Sequence, residues 1–149
     1  MEIGRFPLAW RWTSQKHARL PQDVLSKIVP LPVDESTRLH KASVAFLDQS
    51  GLNAERFSVV ELKTSEAKPE DVTSWLLERH PEQETPVCLS WQSDLAVTTT
   101  WGVFAKYWSE FCYPASDDLL VCAVQCRWVL LYRHDELMQH GTSRLPETP

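Results

Sequence analysis

The chain has 149 residues, of which 43% are hydrophobic, and a formal net charge of −5 at pH 7. This length suffices for a sizeable core, so we expect a single domain over residues 1–149. The acidic balance argues against nucleic-acid binding, because attraction to phosphate requires a basic surface. No apolar run reaches the roughly 18 residues of a membrane helix, which predicts a protein without a membrane span.

The N-terminal sequence favours a soluble cytoplasmic protein. Its first residues, MEIGRFPLAWRW, lack the basic region and the apolar stretch of a signal peptide. In a reducing compartment the cysteines are expected to be thiols in apolar surroundings. They are Cys88, Cys112, Cys122 and Cys126.

Two helices are predicted in the first third of the chain. The first begins near Pro21, and its apolar residues at positions 24, 25 and 28 share one face. Asp34 can cap the second helix, which we expect to end at Gly51. The predicted buried side of this second helix carries Leu39, Ala42, Ser43, Phe46 and Leu47.

A strand, a helix and a second strand are predicted in the middle of the chain. Residues 57–62, FSVVEL, are rich in β-prone side chains. Pro69, followed by two acidic residues, opens a helix whose apolar residues at 72, 75 and 76 keep helical spacing. A polar loop at 80–86 then leads to VCLSW at 87–91, which is typical of a buried strand.

The strongest helix signal lies within residues 98–118. One of the threonines at 98–100 can cap this helix, and Pro114 ends it. Its aromatic residues recur at intervals of three, four and three: Trp101, Phe104, Trp108 and Phe111. Such a stripe indicates a helix face in the core, which we favour over a ligand-lining face.

The C-terminal part completes an α+β prediction. The β-prone runs 119–124 and 128–132 are expected to pair as a hairpin, and residues 141–149 to form a flexible C-terminal tail. The order of elements predicts about four helices packed on one face of a small, mostly antiparallel sheet that ends in this C-terminal hairpin.

No catalytic or cofactor motif is present, and glycine-rich phosphate loops are absent, so we expect neither catalytic residues nor a cofactor. Cys122 and Cys126 have a spacing compatible with zinc. A strand would place both on one face, however, and a second ligand pair is missing, so buried thiols are favoured over a metal site. Cys112 is not expected to be a nucleophile, because a helix C-terminus raises the pKa of a thiol.

Acidic and aromatic residues near the end of the fourth helix and in the hairpin form the candidate binding site. They are Glu110, Tyr113, Asp117, Asp118 and Asp135. The adjacent acids at 117–118 are also typical of a turn before a strand, and that structural role is the favoured interpretation of the pair.

Four segments carry a family resemblance. They are Arg11-Trp12, LPQDVLSKIVP at 20–30, TTWGVFAKYWSEF at 99–111 and WVLLYRHDE at 128–136. Together they resemble a family of small uncharacterised proteobacterial proteins, a domain of unknown function, whose most specific feature is the Trp-Gly-Val-Phe helix. Residues 51–86 do not match it. The resemblance implies a bacterial, soluble, single-domain protein and transfers no activity or site residue.

The functional prediction is a protein-binding module rather than an enzyme. A small acidic chain with seven tryptophans and no catalytic motif is typical of an immunity-type or regulatory partner of a bacterial toxin or another protein. The expected partner is then a protein, and a basic one if the chain is an acidic inhibitor. Two alternatives remain open: an enzyme or small-ligand protein with a pocket lined by Trp91, Trp101 and Trp108, and a structural homo-oligomer.

Overall fold

The computed structural model describes residues 3–14, 19–123 and 127–144. Within these ranges the helices are α1 (Trp10–Thr13), α2 (Gln22–Leu25), α3 (Val33–Val44), α4 (Pro69–Arg79), α5 (Trp101–Lys106) and α6 (Trp108–Phe111). The strands are β1 (Val29–Pro30), β2 (Leu47–Asp48), β3 (Gly51–Leu52), β4 (Phe57–Lys63), β5 (Pro86–Gln92), β6 (Leu95–Thr100), β7 (Leu119–Ala123), β8 (Trp128–Tyr132) and β9 (Leu137–Ser143). Two short 3-10 turns, Ile3–Arg5 and Thr64–Glu66, complete the assignment.

A seven-stranded sheet organises the molecule. Its strand order is β1-β6-β5-β7-β8-β9-β4, and every neighbouring pair is antiparallel. β2 and β3 form a separate two-stranded ribbon. All five residues of β7 and all five of β8 are buried, so both faces of the central strands are covered. None of the helices in the described ranges is long and apolar enough to cross a membrane.

The first face of the sheet holds an aromatic core beneath α1, α2, α4, α5 and α6. Trp12 of α1 is fully buried at its centre, with ring centroids 5.9 Å from Phe6, 5.2 Å from Phe111 and 6.0 Å from Trp91. Because large rings remove much apolar surface from water, this layer is the principal hydrophobic core.

The second face is covered by α3 and the β2–β3 ribbon. Phe46, just after α3, packs edge-to-face on Phe57 of β4 with centroids 5.5 Å apart. The Gln139 side chain of β9 accepts from the Leu52 amide at 2.9 Å, which fastens the ribbon to the sheet. The prediction of a sheet covered on one face was therefore wrong, because β7 and β8 are apolar on both sides.

The α+β class, the antiparallel sheet, the strand in the 57–62 region and the β7–β8 hairpin are confirmed. The count of four helices on a small sheet holds only roughly, since six helices are described and only α3 and α4 reach seven residues. The predicted helix after Asp34 ends at Val44 instead of Gly51. Gly51, at φ +119°, lies in the β2–β3 ribbon, where the chain reverses.

Besides the two-residue strands β1, β2 and β3, two long strands, β6 and β9, were not anticipated. The threonines predicted only as helix caps belong to β6; Thr100 also caps α5, its hydroxyl accepting from the Val103 amide at 3.3 Å. β9 pairs with both β8 and β4, so the first three residues of the segment predicted as a tail are paired strand. Residues 145–149 of that segment lie outside the described residues.

The predicted aromatic helix is divided at Tyr107 into α5 and α6, because the ψ of +26° at Tyr107 interrupts the helical backbone.

Gly141 gives a test of the packing on the second face. A Cβ at this position would lie 2.8 Å from the Phe57 Cβ and 3.0 Å from Leu52, closer than packed carbon atoms approach. We expect Gly141→Ala to lower the free energy of unfolding by about 1–3 kcal/mol, measured by urea denaturation. Gly4→Ala is the control, because no heavy atom lies within 4 Å of its added Cβ. Equal stability of the two variants would contradict this packing.

Candidate binding surface

A buried ion pair joins α1 to the loop between α6 and β7. The Arg11 guanidinium binds the Asp117 carboxylate through two hydrogen bonds, of 2.6 and 3.1 Å, and both side chains are more than nine-tenths buried. The backbone amide of Tyr113 donates to the same carboxylate at 2.8 Å, and the Ser116 hydroxyl donates at 3.2 Å. This set of donors compensates for the removal of the carboxylate from water.

Two aromatic rings enclose the Arg11 guanidinium on the outside of this pair. The guanidinium carbon lies 3.9 Å from the Tyr113 ring centroid and 5.6 Å from that of Trp10. The two rings meet edge-to-face, with centroids 5.8 Å apart and planes at 77°. Trp10 is nonetheless 42% exposed, and Tyr113 is half-buried. The array therefore presents aromatic surface on a rigid ionic base.

The loop carrying Tyr113 and Asp117 is held in one conformation. Ala115 adopts φ +68°, a left-handed conformation that costs a non-glycine residue roughly 1 kcal/mol. Its amide donates to the His134 carbonyl at 3.0 Å, which fixes the loop against the β8–β9 turn. The strain is thus maintained by bonds from the neighbouring hairpin.

The predicted site residues are brought together, but with different roles. Glu110 and Tyr113 lie at the end of α6 and in the following loop, and Asp117 and Asp118 close that loop. The exposed Asp118 carboxylate accepts from both the backbone amide and the ring Nδ1 of His134, each at 3.0 Å. Because His134 belongs to the same turn as Asp135, this bond links the turn to the loop.

Asp135 pairs with Arg133 at 3.1 Å. Glu110 has no ion-pair partner among the described residues, although its charge raises the pKa of Tyr113 after the larger effect of burial. Asp117 is buried and bound, so its carboxylate positions the loop and is largely removed from solvent.

Two cavities open beside Trp91 at this end of the sheet. One, of about 210 Å³, reaches the Arg11–Asp117 pair; the other, of about 260 Å³, lies beneath α3, and Trp91 and Asp118 line both. The Trp91 indole N–H donates to the Phe111 carbonyl at 3.0 Å, which fixes the orientation of the ring. Trp101 and Trp108, grouped with Trp91 in the sequence prediction, are buried in the core.

Sequence reasoning missed a histidine pair on the first face. The Nε2 atoms of His80 and His140 lie 2.8 Å apart, and the His80 ring stacks on Trp128 with centroids 3.8 Å apart. Burial lowers the pKa of each to about 4, so both are neutral at pH 7 and one donates to the other. The signal available in the sequence was the spacing of Met138 and His140, since residues two apart in a strand lie on the same face.

The described residues offer no cluster of three or more histidine, cysteine or acidic side chains able to hold a metal ion. Cys122 lies buried in β7, and Cys126, its suggested zinc partner, is outside the described residues. Burial, and then the charge of Asp117, raise the pKa of Cys112. A protonated thiol is a poor nucleophile, and the causes of the raised pKa are burial and the Asp117 charge instead of the helix end that the sequence suggested.

Comparisons of the chain with protein-family models, curated proteins and solved structures give no match. The resemblance to a proteobacterial family therefore stays a prediction.

The buried ion pair predicts a large cost for a small change. Asp117→Asn leaves the Arg11 charge buried without its counter-ion, so we expect the free energy of unfolding to fall by about 3–5 kcal/mol in urea denaturation. Asp118→Asn, on an exposed carboxylate, should cost less than about 1 kcal/mol. Combining Asp117→Asn with Arg11→Met should recover part of the loss. Equal costs for the two asparagine variants would contradict the role of the pair.

The histidine pair predicts a pH dependence of stability. Between about pH 6.5 and 4 the unfolded chain binds protons at positions 80 and 140 that the folded chain does not. The contribution of the two histidines to the free energy of unfolding is therefore fully present above pH 6.5. It is lost on acidification, with a limiting slope of about 1.4 kcal/mol per pH unit for each histidine. Replacing His80 and His140 together by glutamine should flatten the slope of urea-derived stability in this window. Equal slopes in the double variant and the wild type would contradict the assignment.

Proposed function

We propose that this protein is a protein-binding module whose contact surface is centred on Trp10 and Tyr113. The observation that carries the proposal is the exposed edge-to-face aromatic pair held over the buried Arg11–Asp117 ion pair. Tryptophan, tyrosine and arginine are the residues most enriched at the energetic centres of protein interfaces. Folding alone does not require an exposed aromatic pair above a buried ion pair.

Preorganisation supports the same proposal. An interface side chain that is already ordered loses little conformational entropy when a partner binds. The Arg11 guanidinium fixes the Tyr113 ring at 3.9 Å, and the Asp117 carboxylate fixes the amide of the same residue at 2.8 Å. Both the ring and the backbone of Tyr113 are therefore set before an encounter.

A basic protein is the partner that the charges favour. Glu110 adjoins Tyr113 and has no ion-pair partner in the described chain, and Asp118 and Asp135 are exposed on the adjoining loop and turn. With a net charge of −5, these carboxylates would accelerate association with a cationic surface. An immunity-type partner of a bacterial toxin, or a regulator of another basic protein, is the finer form of the proposal.

The test begins with isolation of the tagged chain from its native cell, with mass spectrometry and light scattering of the eluate. We expect a stoichiometric basic protein, whose affinity is then measured by calorimetry. Trp10→Ala and Tyr113→Ala should each lower the affinity for this partner about 30-fold, which is the effect of removing an interface anchor. Glu110→Lys should also lower the affinity, because the new positive charge repels a cationic partner. This loss should grow as the salt concentration is lowered.

Val33→Ala is the matched control, since Val33 is also an exposed apolar residue, at 53%, but on α3. The proposal fails if Trp10→Ala binds the partner as tightly as Val33→Ala while remaining folded. It fails equally if the wild-type chain elutes alone. A homodimer that dissociates on substitution of Trp10 would instead assign the surface to self-association.

A further inference from the structure

We propose that the cavity beneath α3 is a binding site for a small amine with an apolar body. The cavity has a volume of about 260 Å³ and lies between α3 and the second face of the sheet. This is slightly below the range of about 300–1,000 Å³ of drug-sized sites, so a one-ring molecule suits it better than a nucleotide. Trp10 and Tyr113, the centre of the proposed protein-binding surface, do not line it, and Asp118 is the residue that the two sites share.

The wall of the cavity is largely apolar. Val44 and Leu47 contribute from α3 and β2, and Leu120 and Leu131 contribute from β7 and β8. These side chains can contact the hydrocarbon part of a ligand but do not fix its orientation. The polar groups among them therefore decide which end of a ligand enters first.

Ser90 lines the cavity and carries a buried hydroxyl without a hydrogen-bond partner. The residue is 4% exposed, and its hydroxyl oxygen is not accessible to solvent in this rotamer. A buried hydroxyl without a partner is costly, and rotation about the Ser90 Cα–Cβ bond towards a bound ligand would remove that cost. Ser43, the other serine of the lining, is already satisfied by the Leu39 carbonyl at 2.7 Å.

Asp118 supplies the charge that selects an amine. The carboxylate is exposed and lines the cavity, and His134 binds only its Oδ1 atom. No described residue donates to Oδ2, so this oxygen can accept an ammonium group. His40 is the remaining titratable side chain among the described lining residues, and these include no lysine or arginine to attract a carboxylate instead. The groups that face the cavity therefore favour a cation.

The test uses two probes with the same body and opposite charge, phenethylamine and 3-phenylpropionate. Calorimetry and amide chemical-shift mapping on the full chain should give saturable binding of phenethylamine, with shifts confined to the cavity lining. We expect 3-phenylpropionate to bind at least tenfold more weakly, and Asp118→Asn to abolish this preference. Absence of saturable phenethylamine binding, or shifts that map elsewhere, would overturn the proposal.

Variants of the cavity complete the test. Ser90→Ala should weaken phenethylamine at least threefold, whereas Thr99→Val is the control, because Thr99 carries another buried unpartnered hydroxyl outside this lining. Val44→Trp should block binding without disturbing the core, since Val44 is 51% exposed. If Asp118→Asn, Ser90→Ala and Val44→Trp all bind the amine as the wild type does, the site is wrong.

Discussion

The ion pair between Arg11 and Asp117 is the constraint on which this end of the molecule depends. It joins residues 106 positions apart in the sequence and is buried at both ends. Such a pair contributes only when every oxygen and most donors find partners, because desolvation of two charges is costly. Here the Tyr113 amide and the Ser116 hydroxyl complete the carboxylate. The loop after α6 is therefore held in one conformation, and the exposed rings of Trp10 and Tyr113 are ordered by their packing on the ion pair.

The two faces of the sheet differ in how they are filled. On the first face large rings interlock around Trp12, which leaves the aromatic layer closely packed. On the second, α3 meets the sheet partly through serines, among them Ser36, Ser43 and Ser90. Small polar side chains fill less volume than leucine or phenylalanine, so a cavity remains beside them. The proposed amine site therefore follows from the looser filling of the second face.

The candidate site was predictable only in part from the sequence. The acidic and aromatic residues after the fourth helix do gather, because a single helix end and a single hairpin carry them. Their roles were not predictable. Asp117 and Asp118 are adjacent, yet one is buried against Arg11 and the other is exposed beside His134. The partner of each carboxylate comes from a distant segment, and no local pattern records it.

Elements whose signals are local were predictable from the amino-acid sequence alone. The acidic first turn after Pro69 gave α4, Thr100 and the aromatic spacing gave the start of α5, and continuous apolar runs gave β7 and β8. Residues 95–100 and 137–143 become strands because their polar residues are buried by pairing across the sheet. That pairing is a property of the folded chain, as are the ion pair, the histidine pair and the cavity. These depend on contacts between distant residues, whose free energy exists only once the chain has closed around them.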